Sequence, residues 1–183
     1  MGRAVLISIR PKWCELIASG KKTIEVRKTA PKIETPFKCY IYCTKFHPGD
    51  PDSMINLKGR KSFFMPQSCT VIGEFTCRTI DEFDSAWSEY AYAVAPPGSV
   101  RPMHEEVAIQ IMKEKGCLTH DDIMAYFGDE DYKASFWHIS DLKIYDEPRA
   151  ISEFTGLKKT RFGYAPYVIT RPPQSWCYVE QEG

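Results

Sequence analysis

Residues 20–27 of this chain read Gly20-Lys21-Lys22-Thr23-Ile24-Glu25-Val26-Arg27. From residue 23 onward polar and apolar side chains alternate strictly, which predicts a short β-strand. Ile24 and Val26 then share one face of the strand, and Glu25 and Arg27 share the other. Because a buried sheet face takes the apolar pair, we expect the two opposite charges to line one side of a cleft. Lys22, at the turn before the strand, can reach the same opening.

The residues before this stretch predict a strand and a helix that lead into it. The apolar run Ala4–Ile9 has the length of a strand, and Pro11 suits the first turn of a helix. Trp13 and Ile17 recur at the spacing that one face of a short helix requires. Gly20 can take the left-handed conformation that ends a helix. The predicted unit is therefore strand, short helix, tight turn and polar strand.

This unit resembles the ASCH domain, a branch of the PUA-like superfamily with the signature G-x-K-x-x-E-x-R. Gly20, Lys22, Glu25 and Arg27 fill its fixed positions. The resemblance implies an α+β fold, a PUA-like mixed β-barrel with flanking helices, as a single domain over residues 1–183. It also implies a cleft beside the first helix, where the family is thought to bind RNA or nucleotide-like ligands. Many such proteins are encoded by phages or bacterial genomes, and some are hydrolases.

The resemblance leads us to expect a site for RNA or a modified nucleotide in this cleft. Lys22 and Arg27 would hold phosphate or base carbonyls, and Glu25 would orient Arg27 or accept a base amino group. Trp137 would stack on a base, an interaction worth ~1–3 kcal/mol. The expected ligand-binding residues are Lys12, Trp13, Gly20, Lys22, Thr23, Glu25, Arg27 and Trp137. Structural roles stay open, because Glu25 and Arg27 can form a buried ion pair and a lone tryptophan often belongs to the core.

Two other classes of function stay open, so the sequence alone does not decide between binding and catalysis. One bacterial group in the superfamily removes the acetyl group of N4-acetylcytidine with a lysine, a threonine and a glutamate. Lys22 matches the lysine, but Glu25 stands at the threonine position and Thr23 lies one strand step away. A hydrolase of an acylated nucleoside or of RNA would therefore use Lys22 and Glu25. The third class is a phage or prophage interaction protein with a vestigial cleft.

Charge is distributed unevenly although the formal net charge is +0. Residues 1–61 hold 13 Lys and Arg against 5 Asp and Glu, whereas residues 62–183 hold 11 against 19. The basic excess coincides with the motif and favours a phosphate-bearing ligand. The acidic excess is concentrated in residues 79–147, which we expect to lie apart from the cleft or to cover it. The sequence pI of about 6.9 argues against strong nonspecific binding to duplex nucleic acid.

The remaining pattern predicts more strands and a helical insertion at about residues 81–131. Strands are predicted at residues 37–44, 69–80 and 136–145, the last being the final long strand, with a short apolar element at 63–65. One helix of the insertion is predicted to begin at Pro102, to bury an apolar stripe of Val107, Ile111 and Met112, and to end at Gly116. A second is predicted to begin after Thr119, whose side chain suits an N-cap.

Other classes of protein are disfavoured by composition. No apolar run approaches the ~20 residues of a membrane-spanning helix, so no membrane partner is expected. Seven scattered cysteines, an odd number, indicate the reduced thiols of a cytoplasmic protein. Cys39, Cys43 and His47 share a spacing of four, but on a strand such neighbours lie ~13 Å apart, too far to share a zinc ion. We therefore expect no metal and no cofactor.

Overall fold

The computed structural model describes residues 2–46, 68–87 and 103–182. Its strands are β1 (Arg3–Ile9), β2 (Ile24–Arg27), β3 (Phe37–Cys43), β4 (Thr70–Asp84), β5 (Lys133–Arg149), β6 (Thr155–Thr160), β7 (Gly163–Val168) and β8 (Trp176–Glu180). Its helices are α1 (Pro11–Ala18), α2 (Glu105–Glu114) and α3 (His120–Phe127), and a short 3-10 turn spans Ile151–Glu153. The element expected at residues 63–65 lies outside the described residues, as does Pro102.

The strands form one mixed sheet with the order β2-β5-β4-β3-β1-β8-β6-β7. β1 and β3 are parallel, and the other neighbouring pairs are antiparallel. The predicted α+β class is confirmed. The predicted barrel is not seen as a closed ladder, because β2 and β7 remain the two edges of the sheet in the part of the chain that the structure describes.

The sheet nevertheless curls around a central core. Alternate residues of β1 and β3, including Val5, Ile7 and Ile41, point into this core, and α1 closes it through Cys14 and Ile17. A second cluster packs on the opposite face of the same central strands. The edge strand β2 is buried on both faces, because the helical insertion covers the side that faces away from the central core.

The helical insertion packs on the apolar face of β2. Ile24 and Val26 share a buried cluster with Ala108 and Met112 of α2 and Ile123 of α3. The predicted alternation of β2 is therefore confirmed, but its apolar residues face the insertion and its charged residues face the central core. This arrangement leaves the charged face much less open than the predicted cleft.

The sequence predicted where the two insertion helices lie more accurately than it predicted which of their residues are buried. Thr119 and Asp122 form the capping box at the start of α3, which confirms the predicted N-cap. Val107 is 47% exposed, so the prediction that it is buried is wrong. Met112, which was predicted to be buried, lies with Ala108 on the face that docks on β2, so this part of the prediction is confirmed.

The chain beyond β5 forms three strands that the sequence pattern did not predict. β6 and β7 make a hairpin, and β8 returns to pair with β1 at the centre of the sheet. β5 is thus the last long strand but not the last strand. These segments were missed because Lys158, Pro166 and Gly163 interrupt any simple alternation, and because the partner of β8 lies at the other end of the sequence.

Two composition-based expectations can be compared with the described residues. Within them, no helix has the length and apolar character that crossing a membrane requires. All seven cysteines fall in this part of the chain and are free thiols. Cys39 and Cys43 are buried on β3, whereas His47 lies outside the described residues.

Candidate functional site

The turn at Gly20 determines where the charged residues of the motif lie. Gly20 has φ +72°, the left-handed conformation predicted for it. The N–H groups of Lys21 and Lys22 both donate to the carbonyl of Leu16, over 3.0 and 2.9 Å. The chain therefore reverses tightly after α1, and Lys22 enters the interior directly before β2.

Lys22, Glu25 and Arg27 form one continuous charge network, which we call the motif triad. The Lys22 Nζ lies 3.5 Å from Glu25 Oε2, and Arg27 Nη2 lies 3.0 Å from Glu25 Oε1. The three side chains are only 2%, 7% and 11% exposed. Burial makes such charges costly unless they are paired, so the central carboxylate between two cations is the arrangement that this site requires.

Lys22 also ties the motif to the helical insertion. Its Nζ donates to the carbonyl of Gly116 over 2.7 Å, and the N–H groups of Thr23 and Ile24 both donate to the carbonyl of Lys115. Burial lowers the pKa of Lys22, while the neighbouring Glu25 carboxylate opposes that shift. The acidic insertion therefore does not lie apart from the motif but packs directly against it.

Gly116 lets the helical insertion pack closely against β2 because it lacks a side chain. A Cβ built there would lie 2.5 Å from the carbonyl oxygen of Met112 and 3.2 Å from Val26 Cγ2. The predicted role of Gly116 as the end of a helix is met just after α2, whose C-cap is Lys115. Its contact with Lys22 is the part that sequence reasoning missed.

Arg27 connects the edge strand β2 to the centre of the sheet. Its Nη2 donates to the carbonyl of Ser8 on β1 over 2.6 Å, and its Nη1 donates to Ser175 Oγ over 3.5 Å. Ser175 immediately precedes β8. Neither serine carries a sequence signal that marks it as a partner of Arg27.

Part of the hydrogen-bonding capacity around the triad is unused. Arg27 Nε and Trp137 Nε1 are buried donors without a hydrogen-bond partner, and Glu25 Oε2 has only its 3.5 Å ion pair with Lys22. Trp137 lies directly opposite Glu25 in the ladder between β2 and β5, so these side chains share one face. Two donors, each costly to leave unpaired, thus lie beside the Glu25 carboxylate on this face of β2 and β5.

Lys12 and Trp13 of α1 lie next to the triad. The Trp13 ring centroid is 4.3 Å from Lys12 Nζ and 5.2 Å from Lys22 Nζ, distances typical of cation–π contacts. Lys12 also pairs with Asp122 of the α3 capping box at 3.4 Å. Both side chains are partly exposed, so they form the accessible rim of this region.

Two of the predicted ligand-binding residues lie elsewhere than expected. Thr23 precedes β2 and is exposed, so its hydroxyl does not share the buried face of Glu25. Trp137 is fully buried in the central core, where it packs on Phe37 and Trp176. Its ring is not available for stacking at the surface, and its buried indole N–H has no hydrogen-bond partner.

The comparisons with known proteins agree with this fold. The model of the ASCH domain family matches residues 7–167, and the chain belongs to this family. The crystal structure of an ASCH protein from Zymomonas mobilis is similar with a TM-score of 0.59 and 20% identity, over 97% of this chain and 88% of that one. A single-residue variant of the same bacterial protein aligns with a TM-score of 0.56 and 18% identity, over 97% and 89% of the two chains.

These structural similarities concern the fold alone, because the identities are low. No curated protein matches the sequence. Among the described residues, no group of three or more His, Cys, Asp or Glu side chains is arranged to hold a metal ion.

Proposed function

We propose that this chain binds RNA or a nucleotide, including a modified one, where α1, the Gly20 turn and β2 meet. The observation that carries the proposal is the pair of unpartnered donors, Arg27 Nε and Trp137 Nε1, beside the Glu25 carboxylate on one face of β2 and β5. Buried polar groups are normally satisfied, and groups that are not often belong to functional sites. Membership of the ASCH domain family supports the same kind of ligand.

The available groups suit the edge of a nucleobase. Glu25 Oε2 accepts from an exocyclic amino group, whereas Arg27 Nε–H and Trp137 Nε1–H donate to ring nitrogens or carbonyls. Lys12, on the partly exposed rim, provides a cation for phosphate. Trp137 contributes through its N–H in this proposal, because its ring is enclosed by the core.

Isothermal titration calorimetry with the four ribonucleoside 5′-monophosphates tests the proposal. We expect Lys22→Met to weaken binding by about 1–3 kcal/mol, because Glu25 loses the cation that holds its carboxylate in place for a charge-assisted hydrogen bond to the base. Glu25→Gln should weaken the three nucleotides that carry an exocyclic amino group more than UMP. Thr23→Ala is the matched control, since this exposed side chain lies outside the triad. Equal affinity of folded wild type, Lys22→Met and Glu25→Gln would exclude a ligand site at the triad.

A second candidate function is hydrolysis of an acylated nucleoside or of RNA. The lowered pKa of Lys22, caused first by burial, favours it, because a lysine with a depressed pKa can act as a general base. Its hydrogen bond to Gly116 and its ion pair with Glu25 occupy the ammonium group in this structure. Acetate release from N4-acetylcytidine that is lost in Lys22→Met but retained in Thr23→Ala would favour the hydrolase. Without turnover and without nucleotide binding, the interaction protein with a vestigial cleft becomes the better account.

A further inference from the structure

A series of aromatic rings leads from the motif to the surface of the C-terminal strands. Trp137 and Trp176 have ring centroids 6.1 Å apart, Trp176 and Tyr178 5.4 Å, and Tyr178 and Tyr164 5.5 Å. Trp137 is enclosed, whereas the other three are only partly buried. The series therefore becomes accessible along β8 and β7, on the same side of the sheet as the central core.

Positive charge accompanies these rings. Residues 154–179 contain four Lys and Arg and no Asp or Glu, although the chain from residue 62 onward is acidic, and Glu180, directly opposite Arg3 in the ladder, ends this basic stretch. Lys159 lies directly opposite Tyr164 in the hairpin, so both side chains share one face. The Arg3 guanidinium lies 4.7 Å from the Tyr164 ring centroid and 5.6 Å from that of Tyr178. We call Trp176, Tyr178, Tyr164, Arg3 and Lys159 the aromatic face.

A depression of about 580 Å³ borders the aromatic face between β6 and β8. The two strands pair at only two positions, Gly156 with Val179 and Leu157 with Tyr178. Beyond these positions Lys159 and Trp176 both line the depression. The site therefore combines partly exposed rings, cations and a concave surface, which are the components that single-stranded nucleic acids require.

We propose that the aromatic face binds single-stranded RNA, with bases stacked on Tyr164, Tyr178 and Trp176 and phosphates held by Arg3 and Lys159. The inference rests on the proposed function, since Arg27 contacts Ser175 immediately before Trp176. A strand bound at the motif triad can thus continue onto the aromatic face without leaving the protein. A nearly neutral protein can bind such a strand because two cations, Arg3 and Lys159, lie beside the rings.

Fluorescence anisotropy with a 5′-fluorescein octauridylate tests the aromatic face, while calorimetry with UMP reports on the triad. Tyr164→Ala should weaken octauridylate binding by about 5- to 150-fold, the equivalent of one stacked base. Tyr164→Phe keeps the ring and should retain the affinity. Lys159→Gln should reduce the slope of log K against log salt concentration by about 0.7, the effect of one phosphate contact. Lys113→Gln, an exposed lysine on α2, is the matched charge control.

The outcomes separate the two proposals. If Tyr164→Ala and Lys159→Gln fold normally and bind octauridylate as the wild type does, the aromatic face is not an RNA site. If these variants lose octauridylate but no nucleotide binds at the triad, the aromatic face stands and the proposed function fails. A dimer in solution that Tyr164→Ala dissociates would show that a second copy covers the face, and would also overturn the inference.

Discussion

Arg27 Nη2 donates to the backbone carbonyl of Ser8 over 2.6 Å, although three strands separate β2 from β1 in the order of the sheet. This contact shows how far the sheet curls. The Arg27 side chain joins the edge strand β2 to the central strand β1. In a closed barrel, a ladder of backbone hydrogen bonds would make this connection. The same guanidinium holds Glu25, so the motif couples the closure of the fold to its charge network.

Arg27→Met should destabilise the fold by about 3–5 kcal/mol, the usual cost of breaking a buried ion pair. The change leaves the Ser8 carbonyl and one Glu25 oxygen without their partner. Arg27→Lys keeps the charge but loses the guanidinium fork, so its loss should be smaller. Urea unfolding followed by circular dichroism measures both values. Equal stability of wild type and Arg27→Met would mean that the arginine does not hold the sheet closed.

Gly116→Ala should lower the stability by about 1–3 kcal/mol, because the added Cβ meets the Met112 carbonyl and Val26. It should also increase amide hydrogen exchange in α2, since the Lys22 contact with Gly116 holds the insertion. Gly20→Ala is the comparison. No atom lies within 4 Å of its added Cβ, so its cost comes from the positive φ alone and α2 exchange should be unchanged. Unchanged α2 exchange in Gly116→Ala would contradict the anchoring role.

The stability difference between wild type and Lys22→Met should depend on pH. Burial lowers the pKa of Lys22 from 10.5, so between its folded value and 10.5 the unfolded chain binds more protons than the folded chain. The cost of the buried ammonium is fully present below that window and is relieved as the pH rises through it. Wild type should therefore gain stability relative to Lys22→Met towards pH 10. Urea unfolding of both proteins between pH 7 and 10 measures this difference, and a difference that stays constant would contradict the buried charge.

Tyr42→Phe should make the fold less sensitive to alkali. Burial raises the pKa of Tyr42 from 10.0 to about 12, so above pH 10 the folded state holds a proton that the unfolded state releases. Stability is then lost as the pH rises from 10 to 12. Thermal unfolding between pH 8 and 12 should show a smaller decline for Tyr42→Phe than for wild type, and parallel declines would count against the burial of the phenol.

The elements whose signals are local follow from the amino-acid sequence alone. Pro11 begins α1, Gly20 forms the turn after it, and Thr119 caps α3. The alternation of residues 23–27 predicts β2. Each of these depends on backbone conformation or on contacts between residues three or four apart. They can therefore be predicted from a short window of sequence, and they identify the ASCH motif.

The tertiary structure alone decided what covers the charged face and what the motif contacts. Lys22 meets Gly116 across 94 residues, and Arg27 meets Ser175 across 148. β8 pairs with β1 at the opposite end of the chain. No periodicity records such contacts, because they depend on how separate elements pack. The alternation of β2 therefore predicted two faces, but only the packing of the insertion and the curl of the sheet made both faces buried.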